Sequence, residues 1–210
     1  SFLCLRNKNP DIFLSKIAKK ENIKIFNPKD INSPKFINKK IVKDANLFIS
    51  MSYNQIFKKK TISIPNLGII NCHAGNLPFY RGRNPLNWVL LNGEKKFGIT
   101  VHYIIDEKID HGDIITKKVY PITKKDTYGS LLKKSHLECP KILIESIKKI
   151  KSGKIDTIKQ DQINKKGSYY KKRNLGDEKI NWNSNAINIF NFVRGLSPEP
   201  MACSNINKKN

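Results

Sequence analysis

With 40 Lys and Arg against 17 Asp and Glu in 210 residues, the chain carries a formal charge of +23 and is long enough to bury one substantial core. No apolar run approaches the roughly 20 residues that span a bilayer, Ser1-Phe2-Leu3-Cys4-Leu5 is too short for a signal-peptide core, and the cysteines at 4, 72, 139 and 203 have neither paired nor metal-ligand spacing. The expectation is a cytoplasmic protein with no membrane partner, no disulfide framework and no metal.

In chain order, Ser1 to Leu5 predicts a strand, Asn7 to Pro10 a turn, and Asp11 to Asn22 a helix with Phe13, Ile17 and Ala18 on its inner face. Ile23 to Phe26 predicts a second strand. Ser33-Pro34 opens a helix running through Val42, with Pro in its first turn, and Asn46 to Ser52 returns as a strand. The apolar run Leu67-Gly68-Ile69-Ile70 leads into Asn71. Pro85 to Asn92 predicts a helix, and Gly98 to Ile104 and Ile114 to Ile122 predict strands. Thr127 caps a long helix with Leu131, Leu132, Ile142, Leu143, Ile147 and Ile150 inward, kinked or broken at Pro140 and ended by Gly153. Beyond Asp156 polarity rises, and Ile187, Phe190 and Val193 share one face of a last helix. Strands alternating with helices imply an α/β fold with a mostly parallel sheet, in which ligands sit beyond the carboxyl ends of the strands.

That rim is where the chemistry collects. On an extended backbone Asn71 and His73 leave by the same face, while Cys72 points to the other. An amide can hold a developing oxyanion and a neutral imidazole can take a proton from an attacking amine. A carboxylate orients such an imidazole and stabilises its charged form, and Asp110 in Ile109-Asp110-His111-Gly112-Asp113 is the candidate. Taken singly, each residue reads as an ordinary turn former or a satisfied buried group. Taken together they suit acyl transfer.

The charge is a weaker signal. It predicts salt-sensitive, nonspecific attraction to polyanions. Yet Lys far outnumbers Arg, which occurs only at 6, 81, 83, 173 and 194, and the basic residues are scattered. Lys58-Lys59-Lys60 and Lys171-Lys172-Arg173 therefore read as solvated faces.

Asn71-x-His73, Leu77-Pro78, Tyr80-Arg81-Gly82-Arg83, Pro85-Leu86-Asn87-Trp88, Asn92-Gly93-Glu94, Gly98-Ile99-Thr100-Val101-His102 and Asp110-x-Gly112-Asp113-Ile114 stand in the order and near the spacing of one family. In these motifs the chain resembles the formyltransferases that use 10-formyltetrahydrofolate. The nearest resemblance is to enzymes that N-formylate amino sugars on nucleotide carriers, with methionyl-tRNA formyltransferase a close cousin. The resemblance implies a Rossmann-like formyltransferase fold with flanking helices, lacking its first strand and helix, over residues 1–160. Residues 161–210 would form a linker and the start of a small C-terminal domain. It implies Asn71, His73 and Asp110 as catalytic residues, and the pterin against Gln55, Ile56 and Phe57 and the loop Asp106, Glu107, Lys108, Ile109 and Asp110, with Arg83 meeting substrate or cofactor. The stretch from His102 to Asp110 is one residue longer than in close relatives. The short Arg6-Asn7-Lys8-Asn9-Pro10 connection lacks the basic insertion of the tRNA enzymes, so a nucleotide-linked amino sugar is the expected acceptor, with tRNA the alternative. A non-catalytic folate- or polyanion-binding fragment is the second alternative, and a homo-oligomer is left open.

Overall fold

The computed structural model describes residues 1–6, 10–153 and 155–205. Most of the turn expected over Asn7 to Pro10, and the Lys208-Lys209-Asn210 end, lie outside the described residues. The chain divides into two compact units, Ser1–Cys72 with His102–Asp113 and His73–Val101 with Ile114–Asn210.

In the first unit β1 (Phe2–Cys4) pairs in parallel with β2 (Lys24–Phe26), connected by α1 (Ile12–Lys20). Asp11 caps α1 by accepting from Leu14 N at 2.9 Å. The expected inner face of α1 is corrected: Ala18 is buried, but Phe13 is 71% and Ile17 41% exposed. Two paired strands offer a helix only a narrow surface, and the small Ala18 lets the backbone approach it while larger neighbours stay outside.

The single helix expected from Ser33 to Val42 is also corrected. It is two four-residue helices, α2 (Pro34–Ile37) and α3 (Lys40–Lys43), separated by the extended Lys39. In one continuous helix Phe36 and Val42 would point about 120° apart around the axis. The break brings both into one cluster with Ile31, against Phe2, Phe26, Phe48, Tyr53 and Phe57. Edge-on ring contacts of 5.7–6.3 Å among Phe2, Phe26, Phe36 and Phe48 knit that cluster. β3 (Phe48–Ser50) then pairs in parallel with β4 (Ile69–His73), with Ser50 opposite Asn71, and α4 (Lys59–Ile62) lies between them in sequence.

The second unit carries β5 (Arg81–Gly82), α5 (Pro85–Leu91), the first part of β6 (Lys96–Ile104), β7 (Ile114–Pro121), α6 (Tyr128–Lys151), α7 (Gln160–Ile163), β8 (Tyr169–Tyr170) and α8 (Ala186–Gly195). The largest sheet has strand order β3-β4-β6-β7. Ile122 N donates to Lys95 O at 2.8 Å and Tyr103 N to Asp113 O at 2.9 Å, so β7 returns antiparallel to β6 and the sheet is mixed.

Pro140 neither breaks nor ends α6, which runs unbroken from Tyr128 to Lys151. The carbonyl that Pro140 leaves without its helical donor belongs to His136. His136, Leu137 and Pro140 are all exposed, so solvent can satisfy it. Thr127 and Ser130 close a reciprocal capping box at the start of α6. α8 meets α5 through its smallest and most polar positions. Asn87 Nδ2 donates to Gly195 O at 2.8 Å, while the Ile187, Phe190 and Val193 face lies exposed.

Candidate active site

Within the first unit three polar side chains converge. Asn71 Nδ2 lies 3.2 Å from His102 Nε2 and 3.3 Å from Asp110 Oδ1, and the latter two atoms are 3.4 Å apart. The side chains of His102 and Asp110 are only 1% and 8% exposed. His102 Nδ1 lies 2.8 Å from Tyr103 O. A carbonyl only accepts, so Nδ1 carries the proton, and in the neutral ring Nε2 presents its lone pair to the Asn71 amide. Both hydrogens of Asn71 Nδ2 thus have acceptors within reach, one on His102 and one on Asp110.

The backbone that delivers Asp110 is tightly constrained. Asp110 itself adopts φ +53°, a left-handed conformation that is uncommon outside glycine and marks functional segments. Asp106 Oδ1 accepts from Lys108 N at 2.8 Å to start the turn. At Gly112 a Cβ would fall 1.9 Å from Tyr103 O, so only glycine lets the returning chain pass the end of β6. His111 Nδ1 lies 3.6 Å from Asp106 Oδ2 at the exposed surface of the loop.

In the second unit His73 ends β4, 8% exposed, with Nε2 2.7 Å from Tyr80 O. Tyr80 has φ +60°, and the rest of the residue is held from several sides. Its ring stacks on Tyr170 at 4.9 Å and 6°, and Trp88 tilts onto Tyr170 at 5.1 Å. Its hydroxyl donates to Glu94 Oε1 at 2.7 Å and accepts from Asn92 Nδ2 at 3.2 Å, and its N–H donates to Ser168 Oγ at 2.9 Å. Burial, together with the Glu94 carboxylate, pushes its phenol well above the ordinary range despite the opposing Asn92 bond. β5 pairs in parallel with β8, Arg81 opposite Tyr169 and Gly82 opposite Tyr170, and the Arg81 guanidinium donates to Gln160 Oε1 at 3.0 and 2.8 Å.

Of the residues expected to meet cofactor, Gln55 is committed to its own unit. Its Oε1 accepts from Ile31 N at 2.8 Å and its Nε2 donates to Pro28 O at 3.1 Å. Phe57 stacks on Tyr53 at 5.9 Å in the aromatic cluster, whereas Ile56 is exposed. Glu107, Lys108 and Ile109 are exposed on the Asp106 to Asp110 loop, and Arg83 is exposed beside β5, its N–H on Tyr170 O at 2.9 Å. A separate open cleft of about 450 Å³ in the second unit is lined by Asn84, Tyr128, Arg173, Glu178 and Glu199 among others. Its opposed charges single out no ligand. Among the described residues no group of three or more His, Cys, Asp or Glu is placed to hold a metal ion, and no helix is long and apolar enough to cross a membrane.

Sequence reasoning missed two members of this arrangement. His102 entered it only as part of a motif; the signal was its even spacing from Thr100 at the end of an apolar strand, which a buried structural histidine would share. The contribution of Tyr80 is made by a backbone carbonyl, which side-chain chemistry in the sequence does not display.

Residues 4–147 match the family model described as formyl transferase, and residues 174–210 match the formyl transferase C-terminal domain. The chain is 40% identical over 197 residues to the bifunctional polymyxin resistance protein ArnA of Wigglesworthia glossinidia brevipalpis, covering 92% of this chain and 30% of that protein. It is 34% identical over 194 residues to the methionyl-tRNA formyltransferase of Fusobacterium nucleatum, covering 92% and 62% respectively. It thus spans less than two thirds of either relative. Among solved structures, an N-formyltransferase from Helicobacter canadensis in complex with folinic acid and dTDP-3-aminofucose superposes with a TM-score of 0.73 at 25% identity, over 93% of this chain and 68% of that one. The formyltransferase PseJ from Anoxybacillus kamchatkensis, in complex with UDP-4,6-dideoxy-4-formamido-L-AltNAc and tetrahydrofolate, gives 0.61 at 25% identity, over 81% and 86%.

Proposed function

Since this chain belongs to the formyl transferase family, we propose that it transfers a formyl group from 10-formyltetrahydrofolate to the primary amine of a nucleotide-linked amino sugar. The observation that carries the chemistry is the part-buried contact of Asn71 with both His102 and Asp110, with His73 two residues further along the same strand. An amide, an imidazole and a carboxylate are the donor, base and orienter that amide-forming acyl transfer needs.

In this reading His73 takes a proton from the amine as its nitrogen bonds to the formyl carbon. Asn71 donates to the formyl oxygen as that oxygen gains negative charge. To do so it exchanges one of its two present acceptors. Asp110 holds the Asn71 amide by accepting one of its hydrogens, and His73 then returns the proton to the departing nitrogen. 10-Formyltetrahydrofolate supplies the formyl carbon and leaves as tetrahydrofolate when its carbon–nitrogen bond breaks. The exposed loop from Asp106 to Asp110, whose backbone groups can read an amide-like pterin edge, and Arg83, suited to an anionic group, are assigned to binding. Residues 1–160 are assigned to catalysis and 161–210 to the linker and C-terminal domain, and the protein is placed in the cytoplasm.

The sugar acceptor is supported by the nucleotide sugars in the complexes of the two similar structures. The second reading, methionyl-tRNA as acceptor, is supported by relatives such as the Fusobacterium enzyme and by the +23 charge. The test is tetrahydrofolate release from 10-formyltetrahydrofolate with a panel of nucleotide-linked amino sugars and, separately, methionyl-tRNA, with His73→Asn as control. Turnover with a sugar that disappears in the control is the expected result. Turnover with the tRNA alone replaces the acceptor, and none with any amine leaves folate or polyanion binding without catalysis.

A further inference from the structure

We propose that Gly167 and Ser168 are positioning residues for the acceptor: they strap the loop from Pro78 to Arg83 into the conformation in which Arg83 meets the anionic carrier of the amine. This rests on the reading of Arg83 as a binding residue.

The first observation is that one short segment collects the backbone bonds of that loop. Ser168 N donates to Pro78 O at 3.2 Å, Ser168 Oγ accepts from Tyr80 N at 2.9 Å, and Ser168 O accepts from Arg81 N at 3.0 Å. Tyr170 O then accepts from Arg83 N at 2.9 Å. The amides of Tyr80, Arg81 and Arg83 therefore all end on the strap. Tyr80 is buried, so water does not readily replace Ser168 as the partner of its N–H.

The second observation is a requirement for glycine on both sides of the contact. A Cβ on Gly167 would stand 2.4 Å from Pro78 O, and one on Gly82 would stand 2.2 Å from Tyr170 O. Both atoms met are backbone oxygens, which cannot swing aside. Both glycines also have positive φ, +60° at Gly167 and +96° at Gly82. Loop and strap thus approach more closely than a side chain at either position allows.

The third concerns what the strap leaves open. Asn164 Oδ1 accepts from Lys166 N at 3.0 Å and from Gly167 N at 2.8 Å, a turn that shapes the strap before it reaches the loop. After Arg83, Asn84 adopts φ +53° and its Oδ1 accepts from Arg173 N at 3.2 Å. The backbone is therefore held on both sides of Arg83 while Arg83 itself is exposed. A guanidinium on a fixed backbone, open to solvent, meets an anion with little further ordering, and that lowers the entropy cost of binding. The linker beyond residue 160 thereby takes part in acceptor binding.

The test is Ser168→Ala in the full chain. Tyr80 N loses its acceptor, so hydrogen exchange of the peptide spanning residues 79–84, read by mass spectrometry, should speed up. The KM for the acceptor should rise about 5- to 30-fold, the equilibrium equivalent of leaving one buried donor unpaired, with the KM for 10-formyltetrahydrofolate unchanged. Ser168→Thr, which returns a hydroxyl, should restore both. Gly167→Ala should give the same split more strongly, and where that variant fails to fold Ser168→Ala decides alone. Unchanged exchange over 79–84 overturns the proposal. So does an equal rise in both KM values, which would mark Ser168 as a residue of the fold only. The exchange measurement needs no acceptor. If no amine turns over, titration with uridine diphosphate replaces the KM: a Kd raised by the same factor supports the strap while the proposed reaction fails, and an unchanged Kd, or no binding, overturns it.

Discussion

His102 Nε2 faces the Asn71 amide nitrogen at 3.2 Å, with its other ring nitrogen tied to Tyr103 O at 2.8 Å. The backbone therefore fixes the tautomer of His102, and His102 in turn fixes which way the Asn71 amide points. Replacing His102 with Phe keeps the bulk of the ring and removes the acceptor. An unpaired buried donor costs about 1–3 kcal/mol, so His102→Phe should unfold at lower urea concentration than the parent with an unchanged slope. His102→Gln, which restores an acceptor, should recover part of that loss.

Asn71→Ala separates chemistry from binding. Loss of one oxyanion donor raises the barrier by about 2.7–4 kcal/mol. Turnover should slow by roughly two to three orders of magnitude with little change in the affinity for tetrahydrofolate, measured by single-turnover kinetics and by titration. Near-normal turnover would remove Asn71 from the mechanism.

Asp110→Asn isolates charge from shape. Asp110 sits at φ +53°, which Asn tolerates as well as any side chain, so the loop should keep its conformation. Turnover should drop by about two orders of magnitude, the low end of what a positioned acid–base group contributes, while the circular dichroism melt stays close to that of the parent. A melt shifted as far as the activity would mean that Asp110 serves the fold.

At Gly112 the prediction is structural. A Cβ there would lie 1.9 Å from Tyr103 O, which is backbone and cannot swing aside. Gly112→Ala should destabilise by roughly 1–3 kcal/mol, the range for overpacking. It should also lower turnover by displacing Asp110. Thermal melts and initial rates on the same preparation check both.

Cysteine reactivity gives a pH-dependent reading of the first unit. Burial pushes the Cys4 thiol up from 9.0 to about 12, whereas Cys203 is exposed. The raised value means that the neutral thiol is favoured by folding. Its contribution to stability is complete below about pH 9 and is lost as the pH rises through about 12. Iodoacetamide at mildly alkaline pH should therefore modify Cys203 well before Cys4, as read by mass spectrometry, with Cys4 reacting at the rate of global opening.

Much of this arrangement is legible in one dimension because its determinants are local. Period-two spacing places Asn71 and His73 on one face of β4, Thr127 with Ser130 caps α6, and Gly153 follows its end. Where the prediction failed, partners distant in sequence decided. The break at Lys39 exists because Phe36 and Val42 both serve the aromatic cluster built on Phe2, Phe26 and Phe48. Phe13 and Ile17 stay exposed because the β1–β2 pair offers α1 so little surface. Pro140 leaves α6 whole where it, His136 and Leu137 are all exposed, so solvent can satisfy the carbonyl it frees.

The sequence by itself determined the chemical inventory and its family, since identity and spacing of Asn71, His73, Asp110 and the surrounding motifs are covalent facts. Only the tertiary structure decided how that inventory is wired. Which nitrogen of His102 holds its proton, what the Asn71 amide meets, and why Gly112 must lack a side chain all depend on carbonyls and rings brought within about 3 Å by folding. Hydrogen-bond direction is set by the acceptor that arrives, and no residue type announces in advance which backbone oxygen that will be.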